Sequence, residues 1–237
     1  MKFKKNKYLV CKEALSKEMT DFIYNYFLLR KKVAMTLFKE NWISPFSKEW
    51  GFWNDKQVPN TYSHYADLVM ETLLMKLQSL IEKKTKLKLN PNYSFARIYK
   101  KGDVLHRHKD RFSCETSATL NLGGDPWPIY ISPKENVGLA ESSGGKKGIT
   151  TTSNAKGIKV NLKPGDMLIY QGVELEHWRE AFEGHHCAQV FVHYNTKKYT
   201  ETGAPLDGNI YDSRPHLGLP SDFIKNIRIY NELSSNR

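Results

Sequence analysis

The sequence predicts a mainly β protein with flanking helices, its core a double-sheet, cupin-like jelly roll. Two observations carry that reading. Beyond Pro91 the hydrophobic pattern breaks into eight short strand-like segments separated by turn residues, and eight such strands fold naturally into two facing sheets. Ahead of Pro91, two long stretches instead repeat their apolar residues at helical spacing. The 237 residues are enough to bury a sizeable core and read as one domain. Within it, residues 1–90 are a helical support with an aromatic loop, 91–195 the jelly roll and 196–237 a tail.

In chain order, the first helix is expected at 15–38, where Phe22, Ile23, Tyr26, Phe27, Val33 and Phe38 recur at helical spacing. Ser16 and Thr20 are its candidate caps. Residues 41–65 carry Trp42, Phe46, Trp50, Phe52, Trp53, Tyr62 and Tyr65 among Pro, Gly and Asn. Such aromatics either pack a loop onto the body or form a substrate-facing lip, and packing is the simpler expectation. A second helix covers 66–84 with Leu68, Leu73, Leu77, Leu80 and Ile81 on its buried face, and both helices should cover one side of the β structure.

The strands are expected at 93–99, 104–108, 117–122, 129–131, 158–162, 167–170, 177–181 and 187–194. The stretch 133–156, rich in Gly, Ser, Thr and Lys, reads as a flexible loop or irregular hairpin. The tail is Pro/Gly-rich and ends in a short helix near 222–231. No internal repeat is visible.

The basic N-terminus leads into no sustained apolar run, so no signal peptide is expected. The apolar stretch 22–38 is interrupted by Asn25, Arg30, Lys31 and Lys32 and should not span a membrane. Cys11, Cys114 and Cys187 are odd in number and widely spaced, which fits a reducing, cytoplasmic setting rather than a disulfide framework. A net charge of +11 raises the question of a nucleic-acid partner. The charge is mostly lysine, spread along the chain, while arginine, suited to bidentate phosphate and base contacts, is scarce. A solvated lysine-rich surface is therefore favoured.

The chemistry concentrates in His108-Lys109-Asp110 and the distant His177. Two imidazoles and one carboxylate can hold a divalent metal on one face and leave its other positions open, which is the ligand set of non-haem Fe(II) oxygenases. In extended chain, residues i and i+2 point the same way, so His108 and Asp110 can converge. Lys163-Pro164-Gly165-Asp166 marks the turn that starts the return path to His177. A structural zinc site would more often recruit cysteine. A lone His-x-Asp arises by chance; its place between strand-like segments is what raises it. His106 shares parity with His108, so His106, His108 and His177, with Glu115 as an oxygen ligand, form a rival cupin-type set. Otherwise His106 orients a ligand or lines the cavity.

Taken together, residues 93–195 resemble the Fe(II)/2-oxoglutarate-dependent dioxygenases, particularly the prolyl 4-hydroxylase-like branch. The matching pieces are Phe95-Ala96-Arg97-Ile98-Tyr99 ahead of Gly102, then His108-Lys109-Asp110. Leu162-Lys163-Pro164-Gly165-Asp166-Met167-Leu168-Ile169-Tyr170, His177 and the final strand complete them. The resemblance implies a double-stranded β-helix with Fe(II) held by His108, Asp110 and His177. It also implies 2-oxoglutarate as co-substrate, O2, and ascorbate as a reductant. The implied reaction is hydroxylation of an unactivated C–H bond, coupled to decarboxylation of 2-oxoglutarate to succinate and carbon dioxide.

The resemblance further implies that Tyr99 hydrogen-bonds the co-substrate. In this branch an Arg or Lys about nine residues past the second histidine usually pairs with the distal carboxylate; here that position is His186. A protonated His186 can make a charge-assisted hydrogen bond to a carboxylate. Arg97, which shares strand parity with Tyr99, is the other candidate, and Asn121 and Gln189 are candidates for further polar contacts.

A prolyl residue in a peptide or protein is the family-led substrate, although fold analogy does not separate it from small molecules or nucleobases. The loops 50–65 and 133–156 are expected to shape the entrance. Two alternatives stand beside this reading. One is a cupin-type metal enzyme that does not use 2-oxoglutarate; the other is a basic nucleic-acid-binding protein on the same fold.

Overall fold

Strand-forming and helix-forming segments sort into ten strands and three helices in a computed structural model that describes residues 2–44, 47–132, 153–197, 210–221 and 223. The helices are α1 (Lys2–Asn6), α2 (Lys17–Lys39) and α3 (Leu68–Thr85). The strands are β1 (Tyr8–Cys11), β2 (Tyr62–Tyr65), β3 (Leu89–Lys100), β4 (Leu105–His108), β5 (Thr116–Gly124), β6 (Ile129–Ile131), β7 (Ile158–Val160), β8 (Met167–Gln171), β9 (His177–Arg179) and β10 (His186–Thr196). They form a six-stranded sheet in the order β1-β8-β5-β10-β3-β2 and a four-stranded sheet in the order β4-β9-β6-β7. Each of the eight expected strands is present within a few residues. Together they supply four strands to each sheet, the double-sheet jelly roll anticipated from the pattern.

Two further strands extend the larger sheet at its edges. β1 pairs with β8 and β2 pairs with β3, both antiparallel. Neither was expected: β1 is four residues long and follows a lysine-rich run, and β2 lies inside the aromatic loop. β3 also begins two residues before Pro91. Proline cannot donate to the ladder, and here it lies opposite Tyr194 where the β3–β10 register shifts. The insertion 133–156 falls outside the described residues up to 152, and so does the expected helix near 222–231, apart from residue 223.

α2 starts at Ser16, whose side chain accepts from the Met19 amide. Thr20, the other candidate cap, is instead a buried residue of α2 whose hydroxyl donates to the Ser16 carbonyl. α3 starts at Asp67, which accepts from the amides of Val69 and Met70, and ends at Lys86 in a left-handed conformation. Ile23, Phe27 and Ala34 of α2 and Met70, Leu74, Leu77 and Ile81 of α3 cluster with Ala96, Ile98, Ala118, Leu120, Val190 and Val192 of the larger sheet. Both helices therefore cover one face of that sheet. Each fully buried large side chain contributes about 1.5–3 kcal/mol.

Strand alternation sends the other residues into the space between the sheets, and this space holds the site. No helix among the described residues is long and apolar enough to cross a membrane. Cys11, Cys114 and Cys187 are buried free thiols.

Candidate metal centre and its cavity

His108 ends β4, and His177 begins the neighbouring β9 directly opposite it. Their rings lie 4.3 Å apart between centroids, tilted by 54°. Asp110, just past β4, is held by its own amide, which donates to the Gly172 carbonyl at 2.9 Å. This brings Asp110 Oδ1 to 3.7 Å from His108 Nε2 and 3.4 Å from His177 Nε2. One ligand atom from each residue lies within 4.8 Å of the others.

Backbone contacts set the ring orientations. His108 Nδ1 lies 2.7 Å from the His106 carbonyl and His177 Nδ1 lies 3.0 Å from the Leu175 carbonyl. Each Nδ1 therefore carries the proton and donates it, which leaves Nε2 as the free lone pair on both rings. Burial, reinforced by the neighbouring His177, pushes His108 down to about 4 and keeps it neutral. Burial would lower His177 too, but Asp110 outweighs it and raises it. Burial would raise Asp110, yet His177, His193 and His108 hold it well below the usual carboxylate range. Once His177 gives up its Nε2 proton, two imidazole nitrogens and an ionised oxygen are the donor chemistry a divalent metal of the iron type requires.

The rival set does not assemble. A register irregularity between Leu105 and His108 breaks the strand parity that would align the two histidines. His106 is exposed and supplies only its carbonyl. Glu115 is spent on Thr196, accepting from its amide and hydroxyl.

Several residues support the triad from behind, and of these only Tyr170 and His193 lie in stretches that carry the resemblance. Ser117 Oγ donates to Asp110 Oδ2 at 2.7 Å and lies 2.9 Å from His193 Nδ1. The Tyr170 hydroxyl reaches His177 Nε2 at 3.4 Å. Gln57, from the aromatic loop, places its amide 3.3 Å from His108 Nε2. Gln57 and His193 lie 51 and 76 residues from their partners. The seven residues that separate Ser117 from Asp110 and Tyr170 from His177 do not match the two-residue period of a strand, so no strand spacing rule picks them out.

The triad lies on a cavity of about 680 Å³ whose walls include Phe52, Tyr65, Tyr93 and Phe95. The aromatic loop thus divides its work. Trp50, Trp53 and Tyr62 pack against the helix-covered core, as expected, while Phe52 and Tyr65 reach the cavity. The C-terminal segment closes this wall, with Asp212 ion-paired to Arg111 at 2.6 Å and accepting from the Tyr65 hydroxyl at 2.7 Å.

No protein-family model and no curated protein sequence matches this chain. Solved structures do match in three dimensions. The chain is similar to a prolyl-4-hydroxylase from Pseudomonas putida, with a TM-score of 0.54 at 11% identity over 82% of this chain and 95% of that one. It is similar to HygX from Streptomyces hygroscopicus, solved with nickel, 2-oxoglutarate and hygromycin B, at 0.51 and 13% over 82% and 85% of the two chains. It is also similar to SnoN, a non-heme alpha-ketoglutarate-dependent epimerase from nogalamycin biosynthesis, at 0.57 and 12% over 93% of each.

The shared architecture is the double-stranded β-helix. Identities this low speak for the fold. They do not carry a reaction across, and a hydroxylase and an epimerase stand side by side among the neighbours.

In this double-stranded β-helix the other expected site residues divide. Tyr99 and Arg97 line the cavity. Arg97 is already engaged, however, paired with Asp55 at 3.0 Å and donating to Gln57, Ser63 and Tyr99. Gln189 lies between the sheets, where its Oε1 accepts from Thr119 and from Arg179.

Two residues are not brought to the site. His186 stacks on Tyr24 of α2 on the helix-covered face, because it has the opposite parity to Cys187 and Gln189 on β10. Asn121 is used by the turn before β8, donating to the Leu162 carbonyl and accepting from the Gly123 amide. A residue the sequence reading passed over, Arg179, lies two positions beyond His177 and is 1% exposed.

Proposed function

We propose that this chain is an Fe(II)- and 2-oxoglutarate-dependent oxygenase whose metal is held by His108, Asp110 and His177. One observation carries the reading. Two imidazole Nε2 atoms, each oriented by a backbone carbonyl, and an ionised carboxylate converge on one point at the cavity wall. With Fe(II) bound, O2 would serve as the four-electron oxidant, two electrons coming from the substrate and two from 2-oxoglutarate: R–H, O2 and 2-oxoglutarate give R–OH, succinate and carbon dioxide.

The protein's part is to position and to exclude. Ser117 keeps one Asp110 oxygen occupied, so the other is the free donor toward the metal. Tyr99 and Tyr170 are buried phenols whose pKa values burial raises, and they give the inner cavity protonated hydroxyls for an anionic co-substrate. Phe52, Tyr65, Tyr93 and Phe95 give the cavity wall an aromatic lining, which suits a substrate that presents a ring. A prolyl ring in a peptide and a small cyclic molecule both meet that description. Hydroxylation at such a ring is the substrate class we favour.

Anaerobic addition of Fe(II) and 2-oxoglutarate should produce a weak visible charge-transfer band, absent from Asp110→Ala. A screen for succinate across peptide and small-molecule panels then identifies the substrate. No band in the wild-type protein would remove this reading.

A further inference from the structure

We propose that Arg179 receives the distal carboxylate of the 2-oxo acid co-substrate, a role that rests on the oxygenase reading above. The barrel interior contains two buried arginines with different circumstances. Arg97 is neutralised by Asp55 and fully engaged by Gln57, Ser63 and Tyr99. Arg179 has no carboxylate within ion-pairing distance among the described residues. Its partners are the Trp127 carbonyl and the Gln189 amide oxygen, the latter at 3.4 Å, and its Nε has no hydrogen-bond partner.

A guanidinium that is 1% exposed and uncompensated is costly to keep, because burial removes its hydration and no anion replaces it. A carboxylate-bearing ligand would supply the missing charge, and a planar guanidinium can bind it in bidentate fashion.

The surroundings agree with such an occupant. Arg179 sits on the same strand as His177 and two residues further on, so alternation sends both side chains to the same side of the sheet. Two residues of extended chain advance about 6.6 Å, the scale of a five-carbon diacid reaching from the triad. Arg179 packs over Trp127 at 5.0 Å, and Tyr99, which lines the cavity, packs on the same ring at 4.6 Å. Thr119 and Gln189 add neutral polar groups beside it. On β10, where the resemblance would put the cation, His186 faces α2 and Cys187 takes the inward position.

The test is anaerobic titration of the Fe(II)-loaded protein with 2-oxoglutarate and with 2-oxopentanoate, its analogue lacking the distal carboxylate. The visible band reports binding independently of turnover. Wild type should prefer 2-oxoglutarate, and Arg179→Met should weaken 2-oxoglutarate at least about 30-fold, erase the preference and leave Fe(II) affinity unchanged. Arg179→Lys should retain part of the preference.

A wild-type band with unchanged 2-oxoglutarate affinity in Arg179→Met, or the same loss in Arg97→Met alone, overturns the assignment while leaving the oxygenase reading intact. Absence of the band in wild type removes the oxygenase reading itself. Should Arg179→Met fail to fold, a crystal structure of the wild-type protein with Mn(II) and 2-oxoglutarate decides. The distal carboxylate on Arg179 supports the assignment, and a carboxylate seated elsewhere overturns it.

Discussion

Gly172 stands so close to Asp110 that any β-carbon there would overlap the carboxylate oxygen Oδ2. The same β-carbon would crowd the Cys114 carbonyl at 2.5 Å and Ser117 Oγ at 2.8 Å. Gly172 also receives the Asp110 amide on its carbonyl. Gly172→Ala should therefore displace the carboxylate from the two histidines. We expect metal affinity to fall about 10–100-fold, with a stability cost of about 1–3 kcal/mol from overpacking. Calorimetric titration with Co(II), alongside denaturant unfolding, separates the two effects. Wild-type metal affinity in this variant would show that the carboxylate does not contribute.

Acid should weaken the metal-free fold through its buried histidines. Burial drives His193 down to about 4 despite the attraction of Asp110, and His108 is also at about 4. The unfolded chain takes up these protons near pH 6.5, so between about pH 6.5 and 4 it binds more protons than the native state. Stability then falls with pH, by up to about 1.4 kcal/mol per unit for each histidine. His177, raised by Asp110, works in the opposite sense, since its contribution is lost as pH rises through its elevated pKa. Two against one leaves a net loss toward acid. Denaturant midpoints from pH 4.5 to 7 test this, and His193→Asn should flatten the slope.

His186→Ala should be silent at the site. Its ring lies against Tyr24 on the far side of the larger sheet and is half-buried there. The expected cost is about 1 kcal/mol or less, from one hydrogen bond and one ring contact. The Fe(II)- and 2-oxoglutarate-dependent band should keep its wild-type affinity. A large loss of 2-oxoglutarate binding would restore His186 to the co-substrate pocket.

Breaking the pair Glu71–Arg214 should loosen the cavity wall. Arg214, 4% exposed, pairs with Glu71 at 2.9 Å and also donates to the Asn92 and Leu219 carbonyls. It anchors the segment that carries Asp212 to Arg111 and Tyr65. Arg214→Met leaves a buried carboxylate unpaired, at a cost of about 3–5 kcal/mol. Hydrogen exchange should rise in 210–221 ahead of the rest. Uniform exchange across the fold would argue against a local anchor.

How much of this was legible in the sequence follows the range of the signals. The eight core strands and both long helices were readable because alternation and helical spacing are local. The seven-residue agreement at 93–99 and the full match at 129–131 come from that source. β1 and β2 were not, because four-residue edge strands declare themselves only through the partner they pair with. The triad was legible as residue types in order, and the structure brings His108, Asp110 and His177 together.

What the sequence by itself determined is the pattern of faces: which residues alternate toward the interior, and that two imidazoles and a carboxylate occur among them. Tertiary structure decided which inward residues meet and whether each charge has a partner. His186 and Arg179 were both available on paper. Their fates parted because one turns toward Tyr24 of α2, while the other is buried between the sheets with no anion beside it. The cost of burying an unpaired charge depends on everything packed around it, and no run of neighbours in sequence encodes that.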